Sequence, residues 1–169
     1  GLTNCVDSHN ELLLIKCNET KKYSRQEMAK LLYNSTQGVK SFFPRYGVYR
    51  SLVSNSDMRF IQNDKLKDLM INLYDFRFKR YENMDIVMEN IYQYDYNEFL
   101  VNNFNVNSQD TLKYVERNFI FNHDFLCSEK FKKKIRYISG ITYGSKVAVD
   151  EIIKSMISLD GLISEELLK

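Results

Sequence analysis

The sequence predicts an all-α fold: an elongated antiparallel helical bundle of about five helices, with little or no strand, in one domain over residues 1–169. Three observations predict it. The chain has one proline, Pro44, and six glycines, fewer chain breakers than a sandwich with a turn every ten residues or so would need. Apolar residues recur at steps of three and four over long stretches, the period of a helix with one covered face. No two-residue hairpin signal, internal repeat or low-complexity segment occurs.

From Asn4 to Asn34 the pattern is helical. Val6, Leu13, Cys17 and Thr20 fall at helical steps, and Met28, Leu31 and Leu32 continue an apolar face. The polar run "KCNETKKYSRQE" predicts a kink or break. Ser24 followed by Glu27 is a capping box, so a fresh helix starts there. "NSTQGVKSFFP" reads as a loop in which Gly38 can supply a positive φ. Pro44 suits the first turn of the next helix, where its missing N–H costs nothing. That helix runs to about Ser54 with Tyr46, Tyr49, Leu52 and Val53 on one side.

The longest helix follows. Asn63 caps it and Asp64 sits in its positive first turn. Its stripe is Leu66, Leu69, Met70, Leu73, Tyr74, Tyr81, Met84, Met88, Ile91, Tyr92 and Phe99, reaching about Phe104 and interrupted only by Arg77, whose stem can lie on apolar surface. Ser108 caps a shorter helix through Leu112, Val115, Phe119 and Phe125. Ser128 opens the last helix, with Phe131, Ile135, Ile138, Thr142, Val149, Ile152, Met156 and Leu159 inward, and Gly161 ends it. Gly140, Gly144 and Ala148 recur every four residues. The preferred reading is a shaved stripe that lets a neighbouring backbone approach. A break at "SGITYG" and a groove for a small ligand are the alternatives.

Length and composition set the class. At 169 residues the chain can bury a real core. Apolar residues make up 44% and charged residues 27%, ordinary for a globular protein. Plentiful Asn, Lys, Ile, Tyr and Phe with little Ala read as low-GC coding bias. A net charge of +2 gives no strong pull toward nucleic acid or anionic lipid. No segment approaches the roughly 18 apolar residues of a membrane span, and no signal peptide is visible. Gly1 without a preceding Met predicts that the natural chain begins earlier.

Motifs for chemistry are missing. The chain has two histidines. Asp7 and Glu11 share one face of a helix and His9 points elsewhere, so the trio reads as a solvated face and not as the i, i+4 histidine pair of a helical zinc site. His123 and Asp124 lie at a helix end with no second motif. No phosphate loop, nucleophile elbow or Cys-x-x-Cys occurs, and no histidine spacing makes Cys127 a nucleophile. The expectation is a non-enzyme with no cofactor and no metal site. Of the three cysteines, Cys5 and Cys17 would lie about 18 Å apart on one helix, beyond the roughly 7 Å Cα limit of a bridge. Only Cys127 can pair with either, and free thiols are expected.

Two features mark a candidate contact surface. Tyr92, Tyr94 and Tyr96 alternate, so they cannot all face inward from one helix, and Tyr94 and Tyr96 are taken as exposed. "EKFKKKIRY" is the one basic run. It reads as a solvated face at a helix start, with phosphate binding as the sharper alternative. Lys132, Lys133 and Arg136 join the tyrosines as the expected interaction surface.

The connector "SNSDMRFIQND" carries three large apolar residues, Met58, Phe60 and Ile61. They are read as a plug sealing the corner between two helices, in preference to a partner site. The stretch resembles a bacterial family of unknown function, common in the Bacteroidetes group, whose members have one N-terminal transmembrane helix and a helical domain outside the cytoplasm. Its signature is tyrosine, two residues, leucine, two residues, serine-glycine, a short apolar plug and Asn-x-x-Leu. Tyr49, Leu52, Met58, Phe60, Ile61, Asn63 and Leu66 fall at the matching places. Ser56 stands where the family has glycine. A left-handed residue there would be strained, so Asn55 or Asp57 is expected to take that role.

The resemblance implies an extracytoplasmic domain on the periplasmic side, anchored to the inner membrane by a segment upstream of residue 1. It brings no catalytic residues. The expected function is sensing, scaffolding or protein interaction with an unidentified protein partner, or a homo-oligomer. The alternatives are a small-molecule-binding bundle and a basic-face anion or nucleic-acid binder.

Overall fold

The structure, a computed structural model, describes residues 1–39, 41–104 and 122–168, apart from the side chains of residues 19–21. The expected helix from Ser108 through Leu112, Val115 and Phe119 lies outside the described residues, as does the side chain of Thr20. The fold is the all-α helical bundle that the sequence predicts, and no strand occurs among the described residues.

Helix α1 (Leu2–Leu14) gives way to a 3-10 segment, Cys17–Lys22, within the predicted polar break. Helix α2 (Arg25–Ser35) starts on the expected capping box: Ser24 Oγ accepts from Glu27 N at 3.1 Å, and Glu27 Oε2 accepts from Ser24 N at 2.8 Å. Helix α3 (Gly47–Ser54) starts later than expected, with Tyr46 as its N-cap and Pro44 outside it. Residues 41–46 stay irregular while the rings of Phe42 and Tyr46 reach Phe78, at centroid distances of 5.5 and 6.2 Å. Ser56 itself adopts the left-handed conformation (φ 60°, ψ 21°), and Asn55 stays right-handed. The expected transfer of that role to a neighbour does not occur, because the 3-10 segment Asp57–Phe60 must begin at once.

Asn63 caps α4 (Asp64–Ile71), its side chain accepting from Leu66 N at 3.2 Å. The chain then stays helical through π1 (Asn72–Arg77), α5 (Phe78–Asn90), π2 (Ile91–Tyr96) and α6 (Asn97–Phe104). The second π turn explains a register that a pure α pattern misses over a long run. Met88, Tyr92, Tyr96, Leu100 and Phe104 recur every four residues and are all buried. On an α-helix such steps drift by about 40° each. A π turn closes i→i+5 and takes up residues that would otherwise rotate off the face.

Helix α7 (His123–Cys127) is capped by Asn122. Ser128 Oγ then accepts from Phe131 N at 3.1 Å and opens α8 (Glu129–Leu167), as predicted. Gly161 does not end α8, and "SGITYG" does not break it. Beyond the helix's own adjacent backbone, nothing lies within 4 Å of a Cβ built on Gly140, Gly144 or Gly161, so the expected close approach of a second backbone at Gly140 and Gly144 is absent among the described residues.

Contacts divide the chain into two compact units, residues 1–40 with 85–146 and residues 41–84 with 147–169. The core of the first holds Leu12, Met28, Leu32, Met88, Leu100 and Ile135, with the rings of Phe99, Phe104, Phe125 and Phe131 meeting at 5.3–6.3 Å. The core of the second joins Tyr49, Leu66, Met70, Leu73, Phe78 and Tyr81 to Ile152 and Leu159. There Tyr49 stacks on Tyr74 at 4.5 Å, and its hydroxyl donates to Asp75 Oδ2 at 2.6 Å. Burial and that carboxylate push the Tyr49 phenol up to about 12.

Candidate functional site

The corner of the second unit explains the apolar connector. Met58 and Ile61 are half-buried against the core, as expected of a plug, but Phe60 is 67% exposed. One 3-10 turn and the residue after it cannot point all three of these large side chains inward. Ile61 forms part of the wall of an open groove of about 290 Å³. Helix α3 contributes Val48, Tyr49 and Leu52. Leu66, Met70 and Tyr74 come from α4 and π1. The α8 end supplies Leu159, Ile163 and Leu167. Among the described residues only one that lines it is charged, Glu166, and its Oε1 accepts from Gln62 N at 3.1 Å. Val48 and Leu167 keep most of their surface exposed beside it.

The first unit contains a polar network that the sequence reading missed. Cys5, His9 and Leu12 recur at i, i+4 and i+7, which is one buried face of α1. His9 is fully buried, which corrects the solvated-face reading. Its Nε2 hydrogen-bonds with Ser35 O at 2.9 Å. Cys5 Sγ donates to the same carbonyl at 3.2 Å and lies 3.3 Å from Tyr92 Oη. Tyr92 Oη meets Thr142 Oγ1 at 2.5 Å, and Tyr96 Oη meets Ser35 Oγ at 2.7 Å. Burial raises the Cys5 thiol to about 11 and lowers His9 to about 4. Both are therefore neutral near pH 7, the opposite of a thiolate–imidazolium nucleophile.

Two residues of the expected contact surface belong to the interior. Tyr96 is fully buried, held inward by π2 and by Ser35. Lys132 is buried too. Its ammonium donates to the carbonyls of Leu12 at 2.6 Å, Leu13 at 2.9 Å and Ile15 at 2.9 Å, and so caps the end of α1. Tyr94, Lys133 and Arg136 are exposed as expected. The basic run does not form one free face. Lys134 pairs with Asp95, and Arg136 lies 3.7 Å from Glu129. Arg136 also borders a second open groove, of about 440 Å³, between α1 and α8, with Asn10, Ser139, Gly140 and Tyr143.

The described residues contain no group of three or more His, Cys, Asp or Glu placed to hold a metal ion, and none of their helices is long and apolar enough to cross a membrane. No family model, curated protein or solved structure matches the chain.

Proposed function

We propose that the chain is a non-enzymatic protein-interaction domain that receives the apolar stripe of a partner helix in the groove of its second unit. The composition of that groove carries the reading: among the described residues its lining is apolar or aromatic except for Glu166. Helix-in-groove recognition needs such a lining, with anchors at i, i+3 and i+4. The neutral, enclosed Cys5–His9 pair supports a non-catalytic role. Placement outside the cytoplasm, with an anchor upstream of residue 1, rests on the sequence resemblance alone, and sensing and scaffolding are the roles it would serve.

A photo-crosslinking residue at Val48, in the cells that naturally make this chain, tests the proposal. The expected result is one discrete adduct, absent when the crosslinker replaces Lys133 and lost on Leu167→Asp. An adduct that persists in Leu167→Asp, or one formed equally from Lys133, would refute it. An adduct between two copies would make the partner a homo-oligomer.

A second reading, a small-molecule-binding bundle, has the α1–α8 groove in its favour. Arg136, Asn10 and Ser139 converge there beside Val6, Leu13 and Tyr143, a mix that suits a small carboxylate with an apolar body.

A further inference from the structure

Cys17 opens the 3-10 segment after α1, and Cys127 closes α7. These two elements pack together, which brings the two sulfurs close enough to interact. All three cysteines are reduced, but they are not alike. Cys5 is enclosed in the first unit's core, whereas Cys17 is exposed and Cys127 half-buried. The Lys132 ammonium, fixed by three carbonyls at the end of α1, interacts electrostatically with both outer sulfurs.

We propose that Cys17 and Cys127 are a reversible redox pair that closes into a disulfide by exchange with a low-molecular-weight disulfide such as oxidised glutathione. Thiols at the facing ends of two packed elements need only a small approach to reach bonding distance. Cys17, the exposed partner, meets the oxidant first. Its thiolate attacks one sulfur, forms a mixed disulfide and releases one glutathione thiolate. Cys127 then loses its proton and attacks Cys17 Sγ, expelling the second glutathione thiolate. The two protons from the cysteines end on the two glutathiones. The protein loses two electrons and the small disulfide gains them.

Burial and the nearby Cys17 thiol hold the Cys127 thiol up at about 11, and the neighbouring Lys132 charge works against that rise. Lys132 thus favours the thiolate needed for the closing step. The bridge would tie the α1–α2 connector to α7 and close a loop of about 110 residues. This pair lies in the first unit and is independent of the groove reading.

The test is to equilibrate the native protein with oxidised glutathione, alkylate it under denaturing, non-reducing conditions and map the products by mass. The expected result is one alkylated cysteine, Cys5, and one linked Cys17–Cys127 peptide, reversed by dithiothreitol. The oxidised form should melt about 5–15 °C higher, as expected for a long closed loop in a chain of this size. Cys127→Ser should stop at a glutathione adduct on Cys17. Three alkylated thiols, stable adducts without a bridge, or a bridge between two chains would each overturn the proposal.

Discussion

The ring of Tyr92 occupies the space that a side chain on Gly38 would need. A Cβ built on Gly38 would fall 2.7 Å from Tyr92 Cε2 and closer still to Cζ and the hydroxyl. Gly38 has no positive φ, so the glycine is required for room and not for its backbone conformation. Tyr92 cannot simply swing aside, because its hydroxyl is held by Cys5 and Thr142. Gly38→Ala should therefore destabilise the first unit by about 1–3 kcal/mol, the usual cost of overpacking. Urea denaturation of the variant measures it, and an unchanged midpoint would show that the ring moves freely.

Gly140 and Gly144 behave in the opposite way. Each lies inside continuous α8 with open space where a Cβ would stand. Alanine recovers helix propensity, worth up to about 1 kcal/mol per site, and meets nothing. Gly144→Ala should raise the denaturation midpoint, and even Gly144→Leu should be tolerated. A loss of stability in the alanine variant would point to a neighbour at that face.

The sequence shows the helices and their caps but not the side of each residue near a π turn. Ser24, Asn63 and Ser128 were legible because a cap is a local chemical fact: one acceptor beside one free N–H. Tyr96 stands four residues after Tyr92, the spacing of one helical face, so the alternation that leaves Tyr94 out should have taken Tyr96 in with Tyr92. Lys132 reads as one cation in a basic run, since nothing local reveals that the last carbonyls of α1 await it. His9 could have been placed from the i, i+4, i+7 spacing of Cys5, His9 and Leu12. The groove around Ile61 depends on residues about a hundred positions downstream, which periodicity cannot bring together.

Ser56 is the only non-glycine residue with positive φ among those described. The left-handed conformation costs an L-residue roughly 1–2 kcal/mol, and part of any relief is returned through the greater freedom of glycine in the unfolded chain. Ser56→Gly should stabilise the second unit by about 0.5–1 kcal/mol in chemical denaturation. Ser56→Val should destabilise it, because β-branching is worst tolerated at that φ.

Removing the Lys132 ammonium would leave the carbonyls of Leu12, Leu13 and Ile15 without this donor. Burial lowers its affinity for a proton, yet the three hydrogen bonds mark the charged form as the one present. Lys132→Met keeps much of the stem volume and deletes the donor. Charged hydrogen bonds contribute about 1.5–3 kcal/mol, and buried orphan acceptors cost in addition, so a loss of about 3 kcal/mol is expected. Hydrogen exchange should quicken at the amides of the last turn of α1. Wild-type protection there would mean that water replaces the ammonium without penalty.

His9 gives the fold a defined acid sensitivity. Its folded-state pKa is lowered from 6.5 to about 4, chiefly by burial, while its hydrogen bond to the Ser35 carbonyl acts in the other direction. Between those two values the unfolded chain binds a proton that the folded chain does not. Acid therefore favours unfolding: the His9 contribution is complete above about pH 6.5 and is lost as pH falls toward about 4. A difference of about 2.5 units at 1.36 kcal/mol each corresponds to about 3 kcal/mol. Urea midpoints measured from pH 7.5 to 4 should fall across that window, with most of the fall absent in His9→Gln. In NMR the His9 ring should show no titration near 6.5. A ring that titrates at its ordinary value in the folded protein would show that α1 opens to water at that position, and the enclosed Cys5–His9–Tyr92 network would be lost as a description of the first unit's core.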